Sequence, residues 1–80
     1  MVIYLDNNAT TRVDPDVLGA MLPYLSDFYG NPSSMHSFGG QVGAAVQDAR
    51  VKVAELLGAD DTEIIFNSCG SEGNNTAIHA

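Results

Sequence analysis

Eighty residues with 45% apolar content and a net charge of −7 make at most one small domain, too apolar for a disordered chain and marginal in core without a disulfide, metal or partner. Three dispersed basic side chains, Arg12, Arg50 and Lys52, exclude a nucleic-acid surface, and a single cysteine, Cys69, excludes an internal disulfide. No basic-then-apolar leader and no apolar run of bilayer length occurs, so no membrane partner is expected and a cytoplasmic location is the default.

Residues 2–5 form a short Val/Ile/Tyr/Leu run that favours a strand. Asp6-Asn7-Asn8-Ala9-Thr10-Thr11 follows, a turn-forming string whose side chains bond to their own backbone. Asp14-Pro15 is a helix start, with Asp14 able to cap and Pro15 suited to the first helical position. Val17, Leu18, Met21, Leu22 and Leu25 repeat at helical spacing, and Pro23 predicts a kink or an early end within them. Tyr29-Gly30-Asn31-Pro32-Ser33-Ser34 reads as a loop.

Helical spacing resumes at Gly40, with Val42, Val46, Ala49, Val53 and Leu56 on one stripe widened by Ala45 and Leu57. Asp48 precedes Lys52 by one helical turn on the other face, and Gly58 is a natural stop. Residues 63–66 then predict a short buried strand that runs into Asn67-Ser68-Cys69-Gly70-Ser71 and a new helix start. Alternation of strands and helices predicts an α/β protein, with residues 1–13 as a lead-in and 14–80 as the main domain. The chain stops inside its last motif, at Ala80, without a helix stop signal, and reads as the N-terminal piece of something larger.

The strand-to-helix turn carries the most chemistry. Small residues let the backbone approach a ligand, and the first N–H groups of a helix favour an anion. Gly70 and Ser71 stand where such a ligand would be held, yet an ordinary cap with Ser71 as N-cap and Glu72 in the first turn uses the same residues. The turn is neither a Walker loop nor a dinucleotide fingerprint.

Cys69 allows two readings, a thiol activated by the helix terminus or a small buried hydrophobe, and it has no basic partner in sequence. Lys52, the sole lysine, reads as a solvated residue on a charged helix face. His36, in Met35-His36-Ser37-Phe38-Gly39, could belong to a substrate lid or to a surface connection; it has no second ligand at metal spacing, so no metal site is expected. Asn8 and its neighbours could orient a substrate carboxylate or simply form a turn.

Three strings together resemble the cysteine desulfurases, pyridoxal-phosphate enzymes of the class V aminotransferase family: Tyr4-Leu5-Asp6-Asn7-Asn8-Ala9-Thr10-Thr11, Gly30-Asn31-Pro32-Ser33-Ser34 with His36-Ser37-Phe38-Gly39, and residues 63–75. Their order and spacing cover nearly the whole chain. Ser68-Cys69-Gly70 is similar to the nitrogen-fixation branch of that family. The resemblance implies a fold-type I α/β architecture, with residues 1–13 leading into the small domain and 14–80 beginning the cofactor-binding one.

It also implies that pyridoxal 5′-phosphate is the cofactor and that Gly70 and Ser71 hold its phosphate, serine standing for the usual threonine. Asn8 and Ala9 match a loop near the substrate. Gly73 departs from a larger polar residue and should weaken its helix by up to ~1 kcal/mol. The Schiff-base lysine, the stacking histidine, the aspartate at the pyridine nitrogen and the persulfide-forming cysteine of the family have no match here; neither Lys52 nor Cys69 fills those roles.

The implied activity is removal of sulfur from L-cysteine to give L-alanine and an enzyme persulfide. The implied partners are a second subunit in a homodimer and an iron–sulfur scaffold protein as sulfur acceptor, with nitrogenase the implied destination of the clusters. A selenocysteine lyase, another class V transferase or a non-catalytic phosphate-binding module are the alternatives. The 80 residues alone, lacking a suitable lysine, are expected to be inactive.

Overall fold

A computed structural model describes residues 1–80. Four α-helices are present, α1 (Pro15–Met21), α2 (Pro23–Ser26), α3 (Ser37–Leu57) and α4 (Gly70–His79), with a 3₁₀ turn at Asp61–Glu63. The chain divides into two compact units, Met1–Gly43 and Ala44–Ala80. No helix is long and apolar enough to cross a membrane.

In the first unit, α1 starts as its sequence predicts: the Asp14 carboxylate accepts the Asp16 N–H at 2.8 Å and Pro15 opens the helix. A cap of this kind is worth about 1 kcal/mol. Pro23 has no N–H to continue the ladder, so α1 closes at Met21 and the four-residue α2 restarts at Pro23 itself. The loop behind it is held by Asn31, whose side chain accepts the Ser33 N–H at 2.9 Å and whose carbonyl accepts the Ser34 N–H at 3.0 Å.

α3 begins at Ser37, three residues before the expected Gly40. The cause is His36: its Nδ1 accepts the Gly39 N–H at 3.1 Å and satisfies a donor the helix start would otherwise leave open. That acceptance requires the proton to sit on Nε2. The same stretch is tightly packed, with the Tyr29 and Phe38 rings edge-on at 5.1 Å. Gly39 is buried, and a Cβ there would lie 2.8 Å from that of Ser34 and nearer still to the Asn31 carbonyl. Only glycine permits this closeness.

In the second unit, α3 ends at Leu57 because Gly58 takes φ +68, the left-handed region that glycine enters without penalty. The Gly58 N–H reaches the Glu55 carbonyl at 3.2 Å and the Ala59 N–H reaches that of Ala54 at 2.9 Å, the paired closure of a Schellman motif. Asp48 and Lys52 form the expected ion pair at 2.9 Å on an exposed face. Ala54 is the buried apolar residue, 2% exposed, whereas Ala49, Leu56 and Leu57 of the expected stripe are exposed. Within this unit the chain that follows α3 is tied back to it at Gln47 and Arg50, which bond Asp61 and the Ile64 carbonyl.

Neither expected strand forms. Residues 2–5 have no regular structure, with Val2 87% and Leu5 89% exposed. Glu63 closes the 3₁₀ turn, and Ile64 then takes an extended conformation (φ −100, ψ 123) without a ladder. A strand exists only when its N–H and C=O groups pair with a neighbour, and the chain offers these two segments no partner.

Candidate functional site

The turn between the extended segment and α4 occupies residues 67–72. Cys69 is fully extended (φ −168, ψ 172) and is the N-cap, so the helix starts at Gly70. This corrects the expected cap by two positions: Ser71 lies inside the first turn. The Gly73 N–H closes that turn on the Cys69 carbonyl at 3.0 Å, and α4 runs unbroken through Gly73.

The N–H groups of Gly70, Ser71 and Glu72 have no carbonyl partner along the helix. The Ser71 hydroxyl makes no hydrogen bond within the chain, and the space a side chain at Gly70 would enter is open to 4 Å. Residues 68–72 are all exposed.

Glu72 folds back across the turn. Its carboxylate accepts the Ser68 N–H at 3.1 Å and, more closely, the Ser68 hydroxyl. These two donors, the hydroxyl first, hold the Glu72 carboxyl below its ordinary 4.5. The bonding is a capping box moved one residue upstream, because Glu72 satisfies the residue before the N-cap rather than the cap itself.

Cys69 is exposed, which overturns its reading as a small buried hydrophobe. Its thiol is drawn below the ordinary 9.0, chiefly by the Glu72 backbone N–H, then by the Ser68 hydroxyl, with the Ser71 N–H adding to them. The Ser68 hydroxyl lies 3.7 Å from the sulfur but has one proton, and the nearer Glu72 carboxylate takes it. The helix N–H groups are therefore the lasting cause. In the apoprotein, iodoacetamide should modify Cys69 with a titration midpoint below 9.0, because a stabilised thiolate is populated at lower pH. Mass spectrometry of the Cys69 peptide across a pH series measures this, and a midpoint at or above the ordinary value would exclude the helix-terminus effect.

Asn8 and Ala9 lie in the first unit, in a turn closed by the Ala9 N–H on the Asp6 carbonyl at 3.0 Å. The Tyr4 and Thr10 hydroxyls hydrogen-bond across it, and the Asn8 side chain is exposed. His36 is a helix cap, a role that the sequence readings of a lid or a bare connection did not contain.

Arg50 also escaped the sequence reading, where it was only one of three dispersed basic side chains. Its Nε donates to the Ile64 carbonyl at 3.3 Å, its Nη1 donates to Gln47 Oε1 at 2.6 Å, and its guanidinium lies 5.1 Å from the Phe66 ring centre. Gln47 in turn donates to Asp61 at 2.6 Å. Only the helical spacing of Gln47 and Arg50 hints at this clasp in sequence.

A family model, aminotransferase class V, matches residues 3–80, and the chain belongs to that family. Among its relatives, it is 76% identical over 79 residues to a protein named cysteine desulfurase 2 from Trichormus variabilis. It is 71% identical over 79 residues to a cysteine desulfurase of Nostoc sp., and 60% identical over 77 residues to cysteine desulfurase NifS of Azotobacter vinelandii. These alignments cover 99%, 99% and 95% of this chain but 20%, 20% and 19% of the relatives, so the chain spans about one fifth of their length. No solved structure matches it.

Proposed function

We propose that this chain is the N-terminal segment of a pyridoxal-phosphate-dependent cysteine desulfurase. The observation that carries this is the 76% identity, over 79 residues, to a protein named for that activity. In the reaction, the C–S bond of L-cysteine breaks, L-alanine leaves, and the sulfur becomes the outer atom of a persulfide on an enzyme cysteine. Likeness to a relative named NifS favours delivery to iron–sulfur clusters in nitrogen fixation, through a scaffold protein as acceptor.

The turn at the start of α4 suits the cofactor's phosphate. A ten-residue helix presents its first N–H groups there, the Ser71 hydroxyl is unengaged, and Gly70 leaves the approach open. Gly70 donates its N–H to the phosphate, and Ser71 donates its N–H and hydroxyl. When bound, pyridoxal phosphate supplies an electron sink for bond breaking at the substrate's α-carbon. Residues of this chain anchor and orient; Asn8 and Ala9 lie towards the substrate in this reading.

The wider architecture in this proposal is a fold-type I α/β homodimer in the cytoplasm, with residues 1–13 leading into the small domain and 14–80 beginning the cofactor-binding domain. The apolar run Ile64-Ile65-Phe66, outside any ladder here, has the composition of a strand covered on both faces of a parallel sheet.

The full-length protein carrying this segment, reconstituted with pyridoxal phosphate, should form alanine and sulfide in equal amounts from L-cysteine under thiol reductant. Activity confined to L-selenocysteine would reassign it to the lyases, and no turnover with either substrate would overturn the desulfurase reading.

A further inference from the structure

We propose that Arg50 is a positioning residue for the phosphate-binding turn, acting through the extended segment that leads into it. The inference rests on the assignment of Gly70 and Ser71 to the cofactor phosphate. One turn of α3 grips that segment at three points. Gln47 holds Asp61 at its start, the Arg50 Nε holds the Ile64 carbonyl, and the Arg50 guanidinium covers the Phe66 ring. Arg50 and Gln47 are themselves joined at 2.6 Å, so the grip is one connected unit.

The Ile64 carbonyl accepts from the Arg50 Nε at 3.3 Å, so the grip acts on the backbone itself as well as on the Phe66 ring. Asn67, Ser68 and Cys69 alone separate Phe66 from Gly70. Four residues of chain span at most about 14 Å, so a tilt of roughly 5° at Phe66 moves the Gly70 N–H by up to about 1 Å. Such an error is large for donors that must meet a phosphate oxygen within hydrogen-bond distance.

Arginine suits this task better than lysine. Its planar fork donates to the Ile64 carbonyl and to Gln47 while its face stacks on Phe66; an ammonium cannot hold all three at once.

The test compares Arg50→Gln, Arg50→Lys and Ser71→Ala in the apoprotein of the full-length enzyme, measuring Kd for pyridoxal phosphate and for pyridoxal, which lacks the phosphate. Arg50→Gln should weaken pyridoxal phosphate about tenfold and pyridoxal less than about twofold, and shift the ³¹P resonance of the bound phosphate; Arg50→Lys should not restore either. Equal weakening of both ligands, or an unmoved resonance and ratio, would overturn the positioning role, since plain loss of stability acts on both alike. If Ser71→Ala leaves the preference for pyridoxal phosphate over pyridoxal unchanged, the phosphate assignment itself fails; if it lowers that preference while Arg50→Gln does not, only the Arg50 inference fails. Gln47→Ala, which spares Arg50, carries the same comparison should Arg50→Gln not fold.

Discussion

Replacing Ser71 with alanine in the full-length protein should raise Kd for pyridoxal phosphate by about ten- to a hundredfold. A hydrogen bond to a charged group contributes about 1.5–3 kcal/mol, and each 1.4 kcal/mol is tenfold in affinity. The substitution removes the hydroxyl, which has no other partner in the chain, and leaves the helix N–H groups in place. The loss is therefore specific to one bond. Ser71→Thr keeps the hydroxyl and should retain the cofactor. Dialysis against buffer followed by absorbance of the bound cofactor measures both variants, and unchanged occupancy in the alanine variant would remove Ser71 from the phosphate site.

Glu72 sets a condition on this site. A carboxylate in the first turn is favourable to the free helix but repels a phosphate placed at the same terminus. Its two bonds from Ser68 offset part of that charge. In the proposed function, Ser68 serves the phosphate indirectly, by occupying the carboxylate.

The 80-residue chain expressed alone should show no cooperative thermal transition and should bind a hydrophobic dye. Ala54 is its buried apolar side chain, whereas Leu56 is 85% exposed and Leu25, Ile65 and Ile78 are also mostly exposed. Burying a large apolar side chain contributes about 1.5–3 kcal/mol, and ordering each residue costs about 1–2 kcal/mol in backbone entropy alone. With so little covered, the balance is unfavourable. Circular dichroism on heating reads the outcome: a gradual loss of helix signal is expected, and a sharp two-state melt of a monomer would show that the chain forms its own core.

Helix ends were legible residue by residue. Asp14 with Pro15, Pro23, and Gly58 each act through their own backbone and the next few residues, so their effects do not depend on what lies across the molecule. His36 was the exception among the local features. Histidine is an uncommon cap, and its Nδ1 becomes an acceptor only in one tautomer. The start of α4 falls near the expected residues, but Cys69 rather than Ser71 is the cap, two positions earlier, where Glu72 folds back onto Ser68.

Family membership and the two phosphate-binding candidates came from the order of three short strings, which survives without any knowledge of packing. The strands and the Arg50 clasp did not come that way. Residues 2–5 and 63–66 have strand composition, yet a ladder needs a second strand and the chain supplies none. Gln47 reaches Asp61 and Arg50 reaches Ile64 across fourteen positions each. By itself, then, the sequence determined where α1 starts and where α1 and α3 stop, since those depend on bonds within a turn of helix. The tertiary structure alone decided that Ala54 is the buried side chain of α3, that Cys69 is exposed, and that Arg50 holds the segment leading to α4, since each depends on groups that only folding brings together.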